Sequence, residues 1–196
     1  MVNNEPLSFT GKVQKRPLAL LKALISLGGR EVREEKIEDL IWEEADGDFA
    51  HIAFKTTLSR LRRLLGSEET IEVKEGRVSL NARAVWLDTW VLESLAERVS
   101  QLWGDRRQLK SVDDEVKELG SLVIDLYRGE FLAGDDEFWI GPWRDRLRKR
   151  FLRTIEKLGD MLKEAGADEK AISLYEHAID AGLSPKDFHG RLPTSH

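Results

Sequence analysis

The stretch HIAFKTTLSRLRRLL, residues 51–65, decides the fold, because a helix over it has two chemically different faces. At about 100° per residue, Phe54, Leu58, Leu61 and Leu65 fall on one side together with Thr57. The other side carries His, Lys, Arg, Ser and Thr. The pattern predicts an amphipathic helix that packs its apolar side on a core.

The polar side of this helix is basic. Residues 51–65 hold four Lys or Arg residues and no acid, whereas a solvated helix in a chain of net charge −5 would normally interleave Glu or Asp. Arg and Lys donate to guanine edges or phosphates, and Ser or Thr can reach either, so the face suits a DNA major groove. The helix alone also fits a bland alternative, a solvated basic face that only keeps the helix soluble.

The flanking sequence places this helix third in a known arrangement. Upstream, PLALLKALISLGG (residues 17–29) and EEKIEDLIW (residues 34–42) have helical periodicity, and a short strand is predicted at Leu7–Phe9. Downstream, TIEVKE and RVSLN alternate in polarity around Glu75 and Gly76, which predicts a β-hairpin. Three helices capped by a hairpin form a winged helix-turn-helix.

This arrangement yields candidate DNA contacts. The residues predicted to face the major groove are His51, Lys55, Ser59 and Arg62. The residues predicted to serve phosphates, from the helix or the hairpin, are Thr56, Arg63, Lys74 and Arg77. Glu72 and Glu75 weaken the hairpin part of this prediction, because they put like charge beside the phosphates.

The second half of the chain is almost wholly helical in pattern. Leu158, Gly159, Ala171 and Tyr175 fall at tetratricopeptide-like spacing. A single repeat cannot build a concave surface, so packing and homodimerisation are preferred to a peptide groove. The predicted fold is mainly α with a small β-hairpin, with a winged helix-turn-helix domain at 1–93, a tetratricopeptide-like helical domain at 94–185 and a tail at 186–196.

A second basic cluster lies in this half. A solvated helix is the preferred interpretation, and extra contact with DNA or an acidic partner is the alternative. The cluster comprises Arg144, Arg146, Arg148, Lys149, Arg150 and Arg153.

Two sets of motifs resemble one family of proteins. LIW (residues 40–42), LSRLRRLL (58–65) and WLD (86–88) are similar to the winged helix of SARP-type bacterial regulators, a domain of the OmpR/PhoB class. LYRGEFLAGDDEFWIGPWRDRLRKRFL (126–152) resembles their bacterial transcriptional activator domain. The resemblance covers residues 7–183. It implies a regulator that binds double-stranded promoter DNA through its third helix and meets RNA polymerase near residues 43–48.

Composition bounds the other classes of function. The chain has 196 residues and no Cys, which excludes disulfides and thiolate metal sites. No apolar run reaches the ~20 residues that cross a bilayer, and the N-terminus lacks a secretory pattern, so a cytoplasmic protein without a membrane partner is expected. No zinc-protease, Walker or nucleophile-elbow pattern occurs, so we predict no enzyme, no cofactor and no metal.

The sequence thus predicts a sequence-specific DNA-binding transcription regulator, with activation preferred to repression. The alternative is a protein-interaction adaptor that uses the helical domain and keeps a winged helix that no longer binds DNA. Glu72, Glu75 and the acidic total favour the adaptor, and the acid-free third helix opposes it.

Overall fold

The structure, a computed structural model, describes residues 15–105, 113–188 and 190–191. It is 68% helical, with seven α-helices and a small three-stranded antiparallel sheet in these ranges, which confirms the predicted mainly α fold with a small hairpin. The strand predicted at Leu7–Phe9 lies outside the described residues. No helix within these ranges is both long and apolar enough to cross a membrane.

The described chain forms two compact units. The first runs to Leu87 and includes Phe138–Ile140, and the second comprises Asp88–Glu137 and the residues from Gly141 onward. The first helix of the second unit begins at Asp88, ahead of the boundary predicted at residue 93. The domain assignments themselves stay predictions.

The first unit contains three helices and three strands. They are α1 (Lys15–Ser26), β1 (Val32–Arg33), α2 (Glu34–Ile41), α3 (Gly47–Leu64), β2 (Ile71–Lys74) and β3 (Arg77–Leu80). Gly28 ends α1 in the left-handed conformation, with φ +97°. Its N–H donates to Ile25 O and that of Gly29 donates to Leu24 O, which is the Schellman arrangement that satisfies the last carbonyls of a helix.

The sheet has the order β1–β3–β2. The predicted hairpin is confirmed, with Lys74 opposite Arg77 across a two-residue turn. Glu75 and Gly76 both have positive φ, +49° and +69°, as a type I′ turn requires. Strand β1 lies in a segment that helical periodicity alone did not mark as a strand, and its Val32 pairs with Val78.

The core of the first unit confirms the predicted buried side of α3. Phe54, Leu58, Leu61 and Leu65 are buried, and so is Thr57. The helix itself starts at Gly47, four residues before the first residue of the predicted amphipathic stretch. The buried side fixes which side chains of α3 remain exposed.

The second unit is helical. Its elements are α4 (Asp88–Asp105), α5 (Asp113–Leu126), α6 (Ile140–Glu164), α7 (Asp168–Asp180) and a 3-10 turn (Pro185–Phe188). Gly159 of α6 allows the ring of Tyr175 to lie against the helix backbone, where any Cβ would overlap the ring. Phe188, which falls in the predicted tail, is fully buried in this core.

Candidate nucleic-acid interface

The exposed face of α3 is basic and hydroxyl-rich. We define it by the exposed side chains of Lys55, Thr56, Ser59, Arg60 and Arg63. Within the part of the chain that the structure describes, the three cations of this face form no ion pair or hydrogen bond. The Thr56 hydroxyl donates to the carbonyl of Ile52, one turn earlier, at 3.0 Å. The α3 face therefore offers unpaired positive charge to solvent.

Two of the predicted groove residues are turned towards the rest of the unit instead. His51 Nδ1 lies 3.0 Å from Glu38 Oε1 and 4.0 Å from Glu34 Oε2, so this side chain joins α3 to α2. Arg62 donates from Nη2 and Nε to the carbonyl of Ile71, at 2.7 and 3.2 Å. Its Nη1 also lies 3.5 Å from a carboxylate oxygen of Glu68. Arg62 thus fastens α3 to the first strand of the hairpin.

The structure thus separates the candidate DNA contacts on α3 by whether their side chains are exposed or bonded within the first unit. Lys55, Ser59, Thr56 and Arg63 come together on the α3 face, whereas His51 and Arg62 bind inside the unit. Both of these residues lie at the edge of the polar side, next to the buried side. Their assignment to DNA stays a prediction, as does that of the other candidates.

The two hairpin candidates also differ from each other. Lys74 is exposed and unpaired among the described residues. Arg77 Nη1 donates to the carbonyl of Glu31 at 3.1 Å, and its Nε lies 3.8 Å from the carboxylate of the same residue. The carbonyl of Gly76 accepts the backbone N–H of Glu34 at 2.9 Å. The hairpin turn is therefore held against the start of α2.

Three side chains between α2 and α3 could hold a divalent cation. The donor atoms of Glu34, Glu38 and His51 lie within 4.8 Å of one another, and carboxylate and imidazole ligands suit zinc. The hydrogen bond between His51 and Glu38 already gives these two side chains a partner.

Sequence reasoning missed three residues at this surface. Ile52 and Phe49 are 66% and 63% exposed on the first turns of α3, and Arg60 extends the basic face. Helical spacing places Ile52 in the middle of the polar side, so the same wheel could have identified it. Phe49 lies before residue 51, where the helical wheel begins. Exposed apolar side chains on a helix that lies in the major groove of DNA can contact thymine methyl groups.

The chain is similar to two curated proteins that are named as regulators. It is 28% identical over 166 residues to "Regulatory protein AfsR" of Streptomyces griseus, and 28% identical over 173 residues to "Regulatory protein AfsR" of Streptomyces coelicolor. Both matches cover 84% of this chain and 16% of the relative. They support a SARP-type regulator.

The resemblance to SARP-type regulators that the sequence motifs indicate is confirmed by these two matches. No family model matches the chain. The chain spans about a sixth of the length of each of these SARP-type relatives.

Proposed function

We propose that the chain is a non-enzymatic transcription regulator of the SARP kind that binds specific DNA sequences with α3 in the major groove. The α3 face carries this proposal. Lys55, Arg60 and Arg63 are exposed and unpaired within the described residues, and Ser59 and Thr56 lie between them. After Asp48 in its first turn, α3 has no acidic residue to repel phosphates.

The positions of the cations on the α3 face indicate which of them would contact bases and which would contact phosphates. Arg63 lies between Ser59 and Arg60 on the wheel, near the centre of the exposed face, where a guanidinium can donate to a guanine edge. Lys55 and Arg60 lie on either side of it on the wheel, and these two residues together with Lys74 of the hairpin would neutralise phosphates. If each neutralises one phosphate, the logarithm of the binding constant falls with the logarithm of salt concentration with a slope of about −3. Non-specific affinity is then small, so specific contacts or a second copy must contribute.

The relatives support the regulatory part of the proposal, because both carry the name of a regulatory protein. Such names favour a regulator over an enzyme. Promoter DNA, RNA polymerase near residues 43–48 and a second copy of the chain are the proposed partners, and the cytoplasm is the proposed location.

Selection of duplexes from a random DNA pool by the full chain tests this proposal. The enriched duplex is then titrated by fluorescence anisotropy at several salt concentrations. Arg63→Ala should weaken binding to it by about 1–3 kcal/mol, with relaxed preference at one position. Lys117→Ala is the matched control, since Lys117 is exposed on α5 and unpaired among the described residues. The proposal fails if no duplex is enriched, or if binding does not depend on salt.

An adaptor with a winged helix that does not bind DNA is the second candidate. The observation that favours it is the internal use of Arg62 and Arg77, together with a hairpin turn held at the start of α2. An adaptor would retain partner binding when Arg63 and Lys55 are both changed to Glu, and it would enrich no duplex from the pool.

A further inference from the structure

A groove of about 860 Å³ lies within the second unit, between α4 and α6. The α4 wall contributes Ala96, Glu97, Ser100 and Gln101, and all other lining residues belong to α6. We call it the α4–α6 groove. It uses none of the residues proposed for DNA binding.

The α6 wall of the groove is cationic. Its five basic side chains are those of Arg146, Lys149, Arg150, Arg153 and Lys157, against the two carboxylates of Glu97 and Asp145. A chain of net charge −5 thus concentrates positive charge in one concave place. Such a groove attracts anionic groups more strongly than a flat surface does.

Some of these cations have partners and others do not. Arg150 Nη1 lies 3.2 Å from a carboxylate oxygen of Glu93, and Lys157 Nζ donates to Ser100 Oγ at 2.9 Å. Lys149 and Arg153 are exposed and form no ion pair within the described chain. Two adjacent cations on one side of a helix repel each other unless an anion lies between them.

The spacing of the cations indicates the shape of the anionic partner. Arg146, Lys149, Arg153 and Lys157 follow each other at intervals of three, four and four residues, so they form one row along α6. Their positions rise by about 4.5–6 Å each along the helix axis. Acidic residues three and four apart on a partner helix have the same rise. A groove between two helices also accepts the side-chain ridge of a third helix.

The carboxylates of Glu97 and Asp145 favour a peptide over nucleic acid. Both line the groove, where they would repel a continuous row of phosphates. A peptide can place neutral or basic side chains opposite them. The long Lys and Arg side chains of the row also offer apolar stems to a helix. We infer that the α4–α6 groove is a docking site for an acidic α-helical segment of a partner protein.

The test uses the full chain and a fluorescein-labelled peptide of about 16 residues, roughly 24 Å of helix. The peptide consists of Ala, Leu and Glu, with Glu three and four residues apart, and a second peptide has Gln in place of Glu. Lys149→Glu combined with Arg153→Glu should weaken binding of the Glu peptide about tenfold or more. Lys117→Glu, the matched reversal on α5, should change it about twofold or less. The Gln peptide should bind about tenfold more weakly than the Glu peptide.

Circular dichroism and thermal unfolding establish that each variant is folded. If the variant with both Lys149→Glu and Arg153→Glu does not fold, the variant with Lys149→Gln and Arg153→Gln replaces it. Equal binding by wild type and the double variant overturns the inference, as does equal weakening by Lys117→Glu. Duplex DNA binding that is lost in the double variant while the Glu peptide does not bind assigns the groove to nucleic acid, which also overturns it. Arg63→Ala should keep full peptide affinity, so failure of DNA binding by α3 is distinguishable from failure of this inference.

Discussion

Helices α3 and α6 are both rich in Lys and Arg, but they use these residues differently. In α3, Arg62 binds within the unit, whereas the cations of the α3 face remain unpaired among the described residues. In α6, Arg144 donates to the carbonyls of Phe131, Leu132 and Asp135 at 2.9, 2.8 and 3.2 Å. A basic helix in a sequence can therefore be a structural brace, a binding surface or both.

The difference has a physical cause. The segment before α6 is irregular, and Leu132 has a positive φ of +49°. Carbonyls in such a segment lack regular backbone partners, and a guanidinium can satisfy several of them at once. Among the residues that the structure describes, no carbonyl accepts a hydrogen bond from the cations of the α3 face. These cations stay available to an external anion.

Removal of Arg144 should give the largest effect on stability. Arg144→Ala removes a charged donor from three carbonyls, of which that of Leu132 keeps a backbone donor, the N–H of Asp135 at 3.1 Å. We therefore expect the free energy of unfolding to fall by about 2–4 kcal/mol. Urea denaturation measures it. Arg153→Ala on the same helix serves as the control, because Arg153 is exposed and unpaired among the described residues, and its change should stay within about 0.5 kcal/mol. If both variants lost the same free energy of unfolding, the hydrogen bonds of Arg144 would contribute no more to stability than an exposed cation of α6 does.

The neighbours Arg62 and Arg63 allow the same comparison within α3. Arg62→Ala should lower the free energy of unfolding by about 1–2 kcal/mol, because the carbonyl of Ile71 loses a charged donor. Arg63→Ala should change it by less than about 0.5 kcal/mol and weaken DNA binding instead. The opposite pattern, a stable Arg62 variant and an unstable Arg63 variant, would contradict the division described for α3.

Lys55 should have a smaller effect that salt titration can resolve. Lys55→Gln removes one proposed phosphate contact, so the salt slope of DNA binding should decrease in magnitude by about one. Sequence preference should stay as it is in the wild type. Lys117→Gln provides the baseline, and a change of preference in the Lys55 variant would assign this residue to a base rather than a phosphate.

The smallest effect concerns the core that supports α6. Burial raises the pKa of Tyr175 above its ordinary value of 10.0, and the carboxylate of Asp160 raises it further. Since the fold favours the neutral phenol, the contribution of Tyr175 to stability is constant below about pH 10 and decreases as pH rises above it. Burial also raises the pKa of Tyr127, the other tyrosine of the chain.

The two tyrosines can be titrated one at a time by ultraviolet absorbance. In Tyr127→Phe the tyrosinate of Tyr175 should appear at higher pH than in the same variant unfolded by urea. In Tyr175→Phe the same shift should be seen for Tyr127. A Tyr175 titration identical in the folded and unfolded chain would show that the phenol is hydrated rather than buried beside Gly159.

Periodicity was enough to predict the parts of the fold that depend on local sequence. The buried side of α3 follows from the spacing of Phe54, Leu58 and Leu61, and the hairpin follows from Glu75 and Gly76. Strand β1 has two residues, and only its pairing with β3, far along the chain, makes it a strand. A segment this short leaves no periodic pattern in the sequence.

The candidate site was harder to predict for a related reason. A helical wheel shows which side of α3 is polar, but it does not show whether a carboxylate or a carbonyl from another element lies within reach. Glu38 reaches His51 from α2, and the carbonyl of Ile71 reaches Arg62 from the hairpin. Both contacts depend on tertiary packing. Lys55 and Ser59 were predicted as exposed polar residues without such knowledge, because they lie farther from the buried side.

The hairpin turn has a consequence for helix α2. Arg33 stands at the N-cap of α2 and provides no side-chain cap, and the first N–H groups of a helix have no partner within it. The Gly76 carbonyl supplies one, so the tip of the hairpin acts as the missing cap of α2. A ligand that displaces the hairpin would therefore also disturb the first turn of this helix. A longer turn would move the Gly76 carbonyl away from the N–H of Glu34, so the length of the hairpin and the stability of the first turn of α2 depend on each other.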